Sequence, residues 1–211
     1  LCLLMPTYKL TYLHLRGRAE IARDLFHLAG VPYEDIRYRL DEVPTISESL
    51  PFGQVPMLEV DGKKLPQSHA INRYLANEFG FAGNSAIERA WIDAVADQHR
   101  DHEIEIWPPF LIHLGLEPGD RDSQMKEKIE PARDKYFTIL ENIAKENGSN
   151  GHFVGDSLTW VDLLISEHVY TFTQYFPGFL DAFPTVLDTV AKIQATPKLK
   201  EWMEKRPVEK F

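Results

Sequence analysis

Apolar and polar residues alternate in the segment YKLTY, from Tyr8 to Tyr12, which predicts a strand with one buried face. The segment AEIARDLFHLAG carries four apolar residues at helical spacing and ends at Gly30, a common C-terminal cap. The pattern therefore predicts a strand that leads into a helix, with the run RGR at the junction.

The remainder of the first 80 residues alternates in the same way between strand and helix patterns. YEDIRYRL fits a second strand, whereas DEVPTISESLPFGQVP, residues 41–56, is rich in turn-forming residues and predicts a loop. MLEV-DG-KKL predicts a β-hairpin, because Asp61 and Gly62 tolerate the positive φ angles of a two-residue turn. QSHAINRYLANEFG predicts a helix. This order of elements is typical of a thioredoxin-like α/β domain.

The second half of the chain shows helical patterns alone. Beyond the connector GFAGNSA, residues 80–86, the segments with helical apolar periodicity are IERAWIDAVADQ, SQMKEKIEPARDKYFTILENIAKE, WVDLLISEHVYTF and LDTVAKIQA. We therefore expect a thioredoxin-like domain over residues 5–82 and an all-α helical domain over residues 86–211. Thr159 and Asp162 are spaced to cap one of these helices reciprocally, a structural role.

Composition narrows the class of protein. The chain has 211 residues, with 32 acidic and 23 basic side chains, and its net charge of −9 argues against a nucleic-acid partner. No segment approaches the roughly 20 apolar residues of a membrane-spanning helix, so we expect no membrane insertion. The four residues before Met5 are too few for the apolar core of a signal peptide, which needs about 7–15 residues. With Cys2 as the single cysteine, we expect a reducing, cytoplasmic compartment.

Tyr12 ends the first predicted strand, where a thioredoxin-like redox enzyme would need a cysteine. A neutral phenol there can donate a hydrogen bond to a thiolate that belongs to a substrate, which favours the charged form of the thiol. Arg18, at the expected first turn of the helix, and the helix N-terminus would act in the same direction. From this stretch alone, a packed aromatic and a solvated arginine remain the simpler interpretation.

Two further motifs point to a peptide-like thiol. In LPFGQVP, Val55 precedes Pro56 at a strand start; if that bond is cis, the Val55 backbone would face outward and pair with an extended peptide. In QSHAI, Gln67 and Ser68 stand at a helix N-terminus, which suits a carboxylate. Each motif also has a plain structural explanation, a packed turn or a helix cap. Together, a thiol partner, a backbone clamp and a carboxylate cradle describe glutathione.

These motifs, in order, resemble the cytosolic glutathione transferases. The resemblance rests on Tyr12, the RGRAE run, PFGQVPMLEVDG, QSHAI with RYLA, the Thr159/Asp162 cap and the KEWMEKRP tail, and it covers residues 5–211. It is closest to the sigma class in its nematode form, a class that includes the glutathione-dependent prostaglandin D synthases. The resemblance implies a transferase that uses glutathione as co-substrate and holds no permanently bound cofactor.

The resemblance also assigns roles to individual residues. Tyr12 would hold the glutathione thiolate, and Arg18 would assist it electrostatically. Gln54 and Val55 would bind the cysteinyl backbone, while Gly53 would let the chain approach closely. The residues assigned to glutathione binding are Tyr12, Gly53, Gln54, Val55, Gln67, Ser68 and Asp101.

Two assigned positions imply a homodimer. Asp101 falls where the family reaches across a dimer to the γ-glutamyl amine, so each site would need both subunits. Gln67 and Ser68 would bind the γ-glutamyl carboxylate of the same glutathione molecule. Phe52 stands where related classes insert an aromatic side chain into the partner, and in a monomer it would be exposed.

The sequence departs from the family pattern near the glycine end of glutathione and at a possible metal site. Val43 and Ser47 replace a tryptophan and a lysine that sigma enzymes typically have, so we expect this part of the site to be either looser or built differently. Asp97 and Asp101 match an aspartate cluster that binds a divalent ion in the vertebrate prostaglandin synthase, but Arg100 between them should repel a cation. We therefore expect no metal site.

A second possible metal pair lies in HRDHE, where His99 and His102 are three residues apart on a helix. No third ligand is evident. A solvated helix at a subunit interface is the preferred interpretation of this stretch.

The second substrate of such an enzyme is an electrophilic hydrophobic compound. Candidates for its pocket are Leu13, Leu15, Trp107 and Phe211, each of which could equally be ordinary core. The same thiolate could instead isomerise prostaglandin H2 to prostaglandin D2. A third hypothesis is a non-catalytic carrier of haem or other apolar ligands.

Overall fold

The computed structural model of the protein describes residues 6–208 and divides them into two compact units. One unit contains residues 6–82 together with 194–208, and the other contains residues 83–193. The sequence placed the last segment in the helical domain, whereas its contacts are with the sheet-containing unit. As domain limits, 5–82 and 86–211 stay predictions.

The first unit is built around a four-stranded mixed sheet with the order β2-β1-β3-β4. Strand β1 pairs in parallel with β2 and antiparallel with β3, and β3 and β4 form the predicted hairpin. Leu10, Leu58 and Phe26 are fully buried between the sheet and the helices. The elements are β1 (Tyr8–Leu13), α1 (Glu20–Ala29), β2 (Glu34–Tyr38), α2 (Val43–Ile46), β3 (Met57–Val60), β4 (Lys63–Pro66) and α3 (Ser68–Phe79).

Residues 40–49 differ from the predicted loop, because they form a succession of short helical turns around α2. Glu42 accepts a hydrogen bond from the backbone N–H of Arg39, and Pro44 occupies the first turn of α2. The Ser47 and Ser49 hydroxyls each donate to a carbonyl three residues earlier. The prediction was wrong here because Ser, Thr, Pro and acidic residues favour helix N-termini as well as loops.

The second unit consists of helices packed on one another. Its interior contains the fully buried rings of Tyr136, Phe137 and Trp160. The predicted cap is confirmed, since Asp162 accepts hydrogen bonds from the Thr159 N–H and hydroxyl at 2.7 and 2.9 Å. The helices are α4 (Ala86–His113), α5 (Arg121–Gln124), continued by a π-helical turn (Met125–Ile129), α6 (Glu130–Glu146), α7 (Trp160–Tyr175) and α8 (Pro184–Gln194).

The last helix, α9 (Pro197–Lys205), packs against α1 of the first unit. The Trp202 ring stacks on the His27 ring with their centroids 3.7 Å apart, and Lys198 Nζ donates to the Leu28 carbonyl at 2.9 Å. The architecture confirms the predicted thioredoxin-like α/β domain followed by an all-α helical domain. Of the helices in residues 6–208, none combines the length and apolar character needed to cross a membrane.

Candidate functional site

Tyr12 lies near the end of β1 with its side chain 7% exposed. Its hydroxyl oxygen accepts a hydrogen bond from the backbone N–H of Arg18 at 3.1 Å. The sequence pattern predicted Arg18 in the first turn of α1, whereas it belongs to a 3₁₀ turn, Gly17–Ala19, that precedes α1. A phenol whose oxygen accepts one hydrogen bond can still donate its O–H in a second hydrogen bond, as the predicted contact with a thiolate requires.

Gly17 allows this turn to close over the Tyr12 ring. Its φ of +40° lies in the left-handed region, and a Cβ at this position would lie 2.7 Å from the Tyr12 hydroxyl oxygen. Any side chain at this position would displace the phenol or the turn. The glycine in the RGR run is therefore what permits close contact between Arg18 and Tyr12.

A cleft opens beside this turn in the first unit. It brings together residues that are up to 50 positions apart in the chain, and four of its eight lining residues were assigned to glutathione binding. Its lining consists of Arg18, Phe52, Gln54, Val55, Pro56, Pro66, Gln67 and Ser68. The side chain of Arg18 is exposed, so its guanidinium can reach a ligand in the cleft.

The segment before β3 forms one wall of this cleft. The Val55–Pro56 peptide bond is cis, the condition under which the Val55 backbone was expected to meet an extended peptide. Gly53 is not among the lining residues; its φ is +64°, and a Cβ at this position would have the Ser47 carbonyl oxygen as its nearest neighbour, 4.0 Å away. Backbone conformation, rather than crowding, explains this glycine.

The N-terminus of α3 also lines the cleft. Ser68 begins the helix and is 7% exposed, and Gln67 precedes it with a φ of +75°. No acidic residue stands in the first turn of α3. The N–H groups of the first turn and the helix dipole therefore favour an anion at this wall.

The remaining predicted residues are not among those that line the cleft, or lie outside the described residues. Leu13 and Leu15 are half-buried in the first unit, and Phe211 lies outside the described residues. Asp101 is an exposed residue of α4 in the second unit, and Trp107, also on α4, is 38% exposed and contacts Phe110. The roles of these residues stay predictions.

The stretch HRDHE contradicts the preferred interpretation of a solvated helix, because His99 and His102 are 1% and 2% exposed in the interior of the second unit. His99 Nδ1 lies 2.7 Å from the Tyr136 hydroxyl, and His102 Nε2 lies 3.1 Å from His168 Nε2. The missed indication was periodicity, since both histidines continue the buried stripe that Ile92 and Val95 begin.

Burial lowers the pKa of two side chains, His102 and His168, in this histidine cluster, which we define as His99, His102 and His168. Desolvation lowers the pKa of His102 to about 3, and the neighbouring His99 and Lys135 act in the same direction. Burial also lowers the pKa of His168 and raises that of Tyr136. Within residues 6–208, no group of three or more His, Cys, Asp or Glu side chains has a metal-binding arrangement.

Comparison with known proteins links both units to one family. Residues 8–77 match the family described as "Glutathione S-transferase, N-terminal domain", and residues 113–206 match "Glutathione S-transferase, C-terminal domain". The chain is 44% identical over 209 residues to "Probable glutathione S-transferase 5" of Caenorhabditis elegans, which covers 98% of this chain and 100% of that protein.

Solved structures show the same similarity over the whole length. A Nu-class glutathione S-transferase from Haemonchus contortus is 50% identical, with a TM-score of 0.91 over 98% of this chain and 100% of that one. Na-GST-3 of Necator americanus, described as a monomeric glutathione S-transferase, is 45% identical, with a TM-score of 0.93 over 97% of this chain and 100% of that one.

Proposed function

This chain belongs to the glutathione S-transferase family and is a glutathione transferase, and on that premise we propose that it activates the glutathione thiol at Tyr12 and adds it to an electrophilic hydrophobic compound. The observation that carries the proposal is the junction of β1 and α1, where the Tyr12 phenol and the exposed Arg18 meet beside the cleft.

The proposed chemistry is stabilisation of a thiolate. A free thiol has a pKa near 8.5, so a downward shift of about two units would leave most of it ionised at pH 7 and requires about 2.7 kcal/mol. The Tyr12 hydroxyl donates a hydrogen bond to the sulfur, while Arg18 adds a positive field from the cleft. Both interactions favour the thiolate over the thiol.

The cleft supports the proposed roles of the other glutathione-binding residues. Gln54 and Val55 lie just before the start of β3 and would pair with the cysteinyl backbone of the tripeptide. Gln67 and Ser68 would bind the γ-glutamyl carboxylate at the N-terminus of α3. Gly53 would shape the turn that presents this wall.

We propose that the enzyme is a homodimer in which Asp101 of the partner subunit binds the γ-glutamyl amine. Three exposed apolar side chains support an interface: Phe52 is 62% exposed, and Ile87 and Trp91, one helical turn apart on α4, are 79% and 50% exposed. Because Na-GST-3 is described as monomeric, the mass of the protein in solution by light scattering is the direct test. A monomer with full activity would exclude the role of Asp101.

Class, substrate and location complete the proposal. We propose that the enzyme belongs to the sigma class in its nematode form. The alternative is the Nu class, in which the H. contortus enzyme is placed. Trp107, Leu13 and Phe211 are the proposed contacts of the hydrophobic electrophile. A single cysteine supports a cytoplasmic location.

The test of thiol activation is a glutathione titration followed by ultraviolet thiolate absorbance across pH, for the wild type and for Tyr12→Phe. The proposal expects the bound thiol to ionise about two pH units below the free thiol, and expects the variant to lose most of that shift. Binding without any shift would refute it and favour the carrier of haem or other apolar ligands. Product analysis with prostaglandin H2 separates conjugation from isomerisation.

A further inference from the structure

A buried ion network lies directly behind Tyr12. Its centre is Arg23 on α1, whose side chain has no exposed surface. Arg23 Nη1 donates to the Leu15 carbonyl at 2.9 Å and lies 3.4 Å from the Arg16 carbonyl oxygen. These carbonyls belong to the turn that carries the Arg18 N–H to the Tyr12 hydroxyl.

The same guanidinium connects the turn to the rest of the unit. Its Nε donates to Asp35 of β2 at 3.1 Å, and its Nη1 also donates to Glu20 at 2.9 Å. Its carbon lies 6.0 Å from the centroid of the Tyr12 ring, at the outer limit of a cation–π contact. Arg23 therefore connects β2, α1 and the turn, and its guanidinium lies over the face of the phenol.

The C-terminal helix holds the other side of this network. Glu20 is 1% exposed and accepts hydrogen bonds from Trp202 Nε1 at 3.0 Å and Arg206 Nη1 at 3.2 Å. Because Trp202 and Arg206 also fix the Glu20 carboxylate by hydrogen bonds, this carboxylate keeps Arg23 directed toward the turn.

We propose that Arg23 is a positioning residue for thiol activation: it holds the turn over residues 15–18 so that the Arg18 N–H orients the Tyr12 hydroxyl. The inference rests on the proposed role of Tyr12. An N–H donor to the phenol oxygen fixes the direction of the O–H and makes it a stronger donor to the thiolate. Without the Arg23 contacts, the two turn carbonyls lose their donor and the turn can shift.

The variant that tests this is Arg23→Met. Methionine retains a long flexible side chain in the same space. Neither carboxylate is left without a cation, because Glu20 keeps Arg206 at 3.2 Å and Asp35 keeps Arg37 at 2.9 Å. We therefore expect the variant to fold, which circular dichroism checks.

The readout is the pKa of the glutathione thiol in the complex, together with steady-state kinetics. We expect Arg23→Met to raise this pKa by about one unit and to lower kcat/KM near pH 6.5 about tenfold, with the KM for glutathione within about twofold of wild type. Gly17→Ala disturbs the same hydrogen bond from the other side and should shift the pKa in the same direction.

The matched control is Leu25→Ala, a fully buried position on the same helix. It should lower stability by cavity formation and leave the thiol pKa unchanged. If folded Arg23→Met binds glutathione with the wild-type thiol pKa, or if Leu25→Ala raises that pKa equally, the positioning role is refuted. If Arg23→Met does not fold, Gly17→Ala decides the same question by the same readout.

The Tyr12→Phe variant separates this inference from the proposed function. If Tyr12→Phe leaves the thiol pKa unchanged, thiol activation by Tyr12 fails and the positioning role fails with it. If Tyr12→Phe raises the pKa while Arg23→Met and Gly17→Ala do not, the positioning role alone is refuted.

Discussion

The buried histidine cluster makes the stability of the protein depend on pH. His102 has a pKa of about 3 in the folded protein because burial disfavours its charged form, against about 6.5 in the unfolded chain. Below pH 6.5 the unfolded chain therefore binds a proton that the folded protein does not, so stability falls as pH falls. Above pH 6.5 this contribution is absent, because neither state is protonated.

The size of the effect follows from the pKa difference. At pH 5 the unfolded state gains about 2 kcal/mol from protonation of His102 alone, since each pH unit below 6.5 corresponds to about 1.36 kcal/mol. Well below pH 3 the gain levels off at about 5 kcal/mol, the full difference between the two pKa values. His168 adds to it in the same direction.

The assay is urea unfolding at pH 8, 6.5 and 5, for the wild type and for His102→Leu. Leucine has a similar volume and cannot titrate, so the variant removes the His102 contribution while carboxylates elsewhere respond equally in both proteins. We expect the wild type to lose about 2 kcal/mol more than the variant between pH 8 and pH 5. Identical pH dependence of the two proteins would show that His102 is protonated in the folded state and would refute the predicted effect of burial.

Three further outcomes are expected. Tyr12→Phe should lower turnover at least tenfold with the glutathione Kd within about twofold, because only the thiolate hydrogen bond is lost; rapid kinetics and calorimetry check the two quantities. Asp162→Ala should destabilise the protein by about 3 kcal/mol in urea unfolding, because two buried N–H groups lose their acceptor, whereas Thr159→Ala should cost about 1 kcal/mol. Phe52→Ser should lower the dimer fraction in light scattering at low protein concentration, and an unchanged dimer fraction would remove Phe52 from the interface.

Local sequence patterns were sufficient to predict most helices and strands of the first unit. The strand β1, the helix α1 with its cap at Gly30 and the hairpin at Asp61 and Gly62 appear in the structure as the sequence predicts. Each depends on residues within a few positions of one another, namely side-chain periodicity and positive φ angles. The cleft was accessible from sequence only through the resemblance, because its walls come from separate segments.

Two errors have a common cause. Residues 40–49 were predicted as loop because the same polar residue types favour turns and short helices. His99 and His102 were assigned to a solvated face because no third metal ligand is evident beside them, and their position on the helix was not considered. In both segments, residue type was given more weight than position on the helix.

The sequence by itself determined the order of elements, the glycines at left-handed positions and the Thr159/Asp162 cap, because each is a short-range property of the chain. The tertiary structure alone decided which polar groups are buried. Arg23 is buried because Glu20 and Asp35 surround it, with Glu20 held in turn by α9, more than 180 residues along the chain. A charged group can leave water only where partners replace its hydration, and in a folded protein those partners come from segments that the local sequence does not reveal.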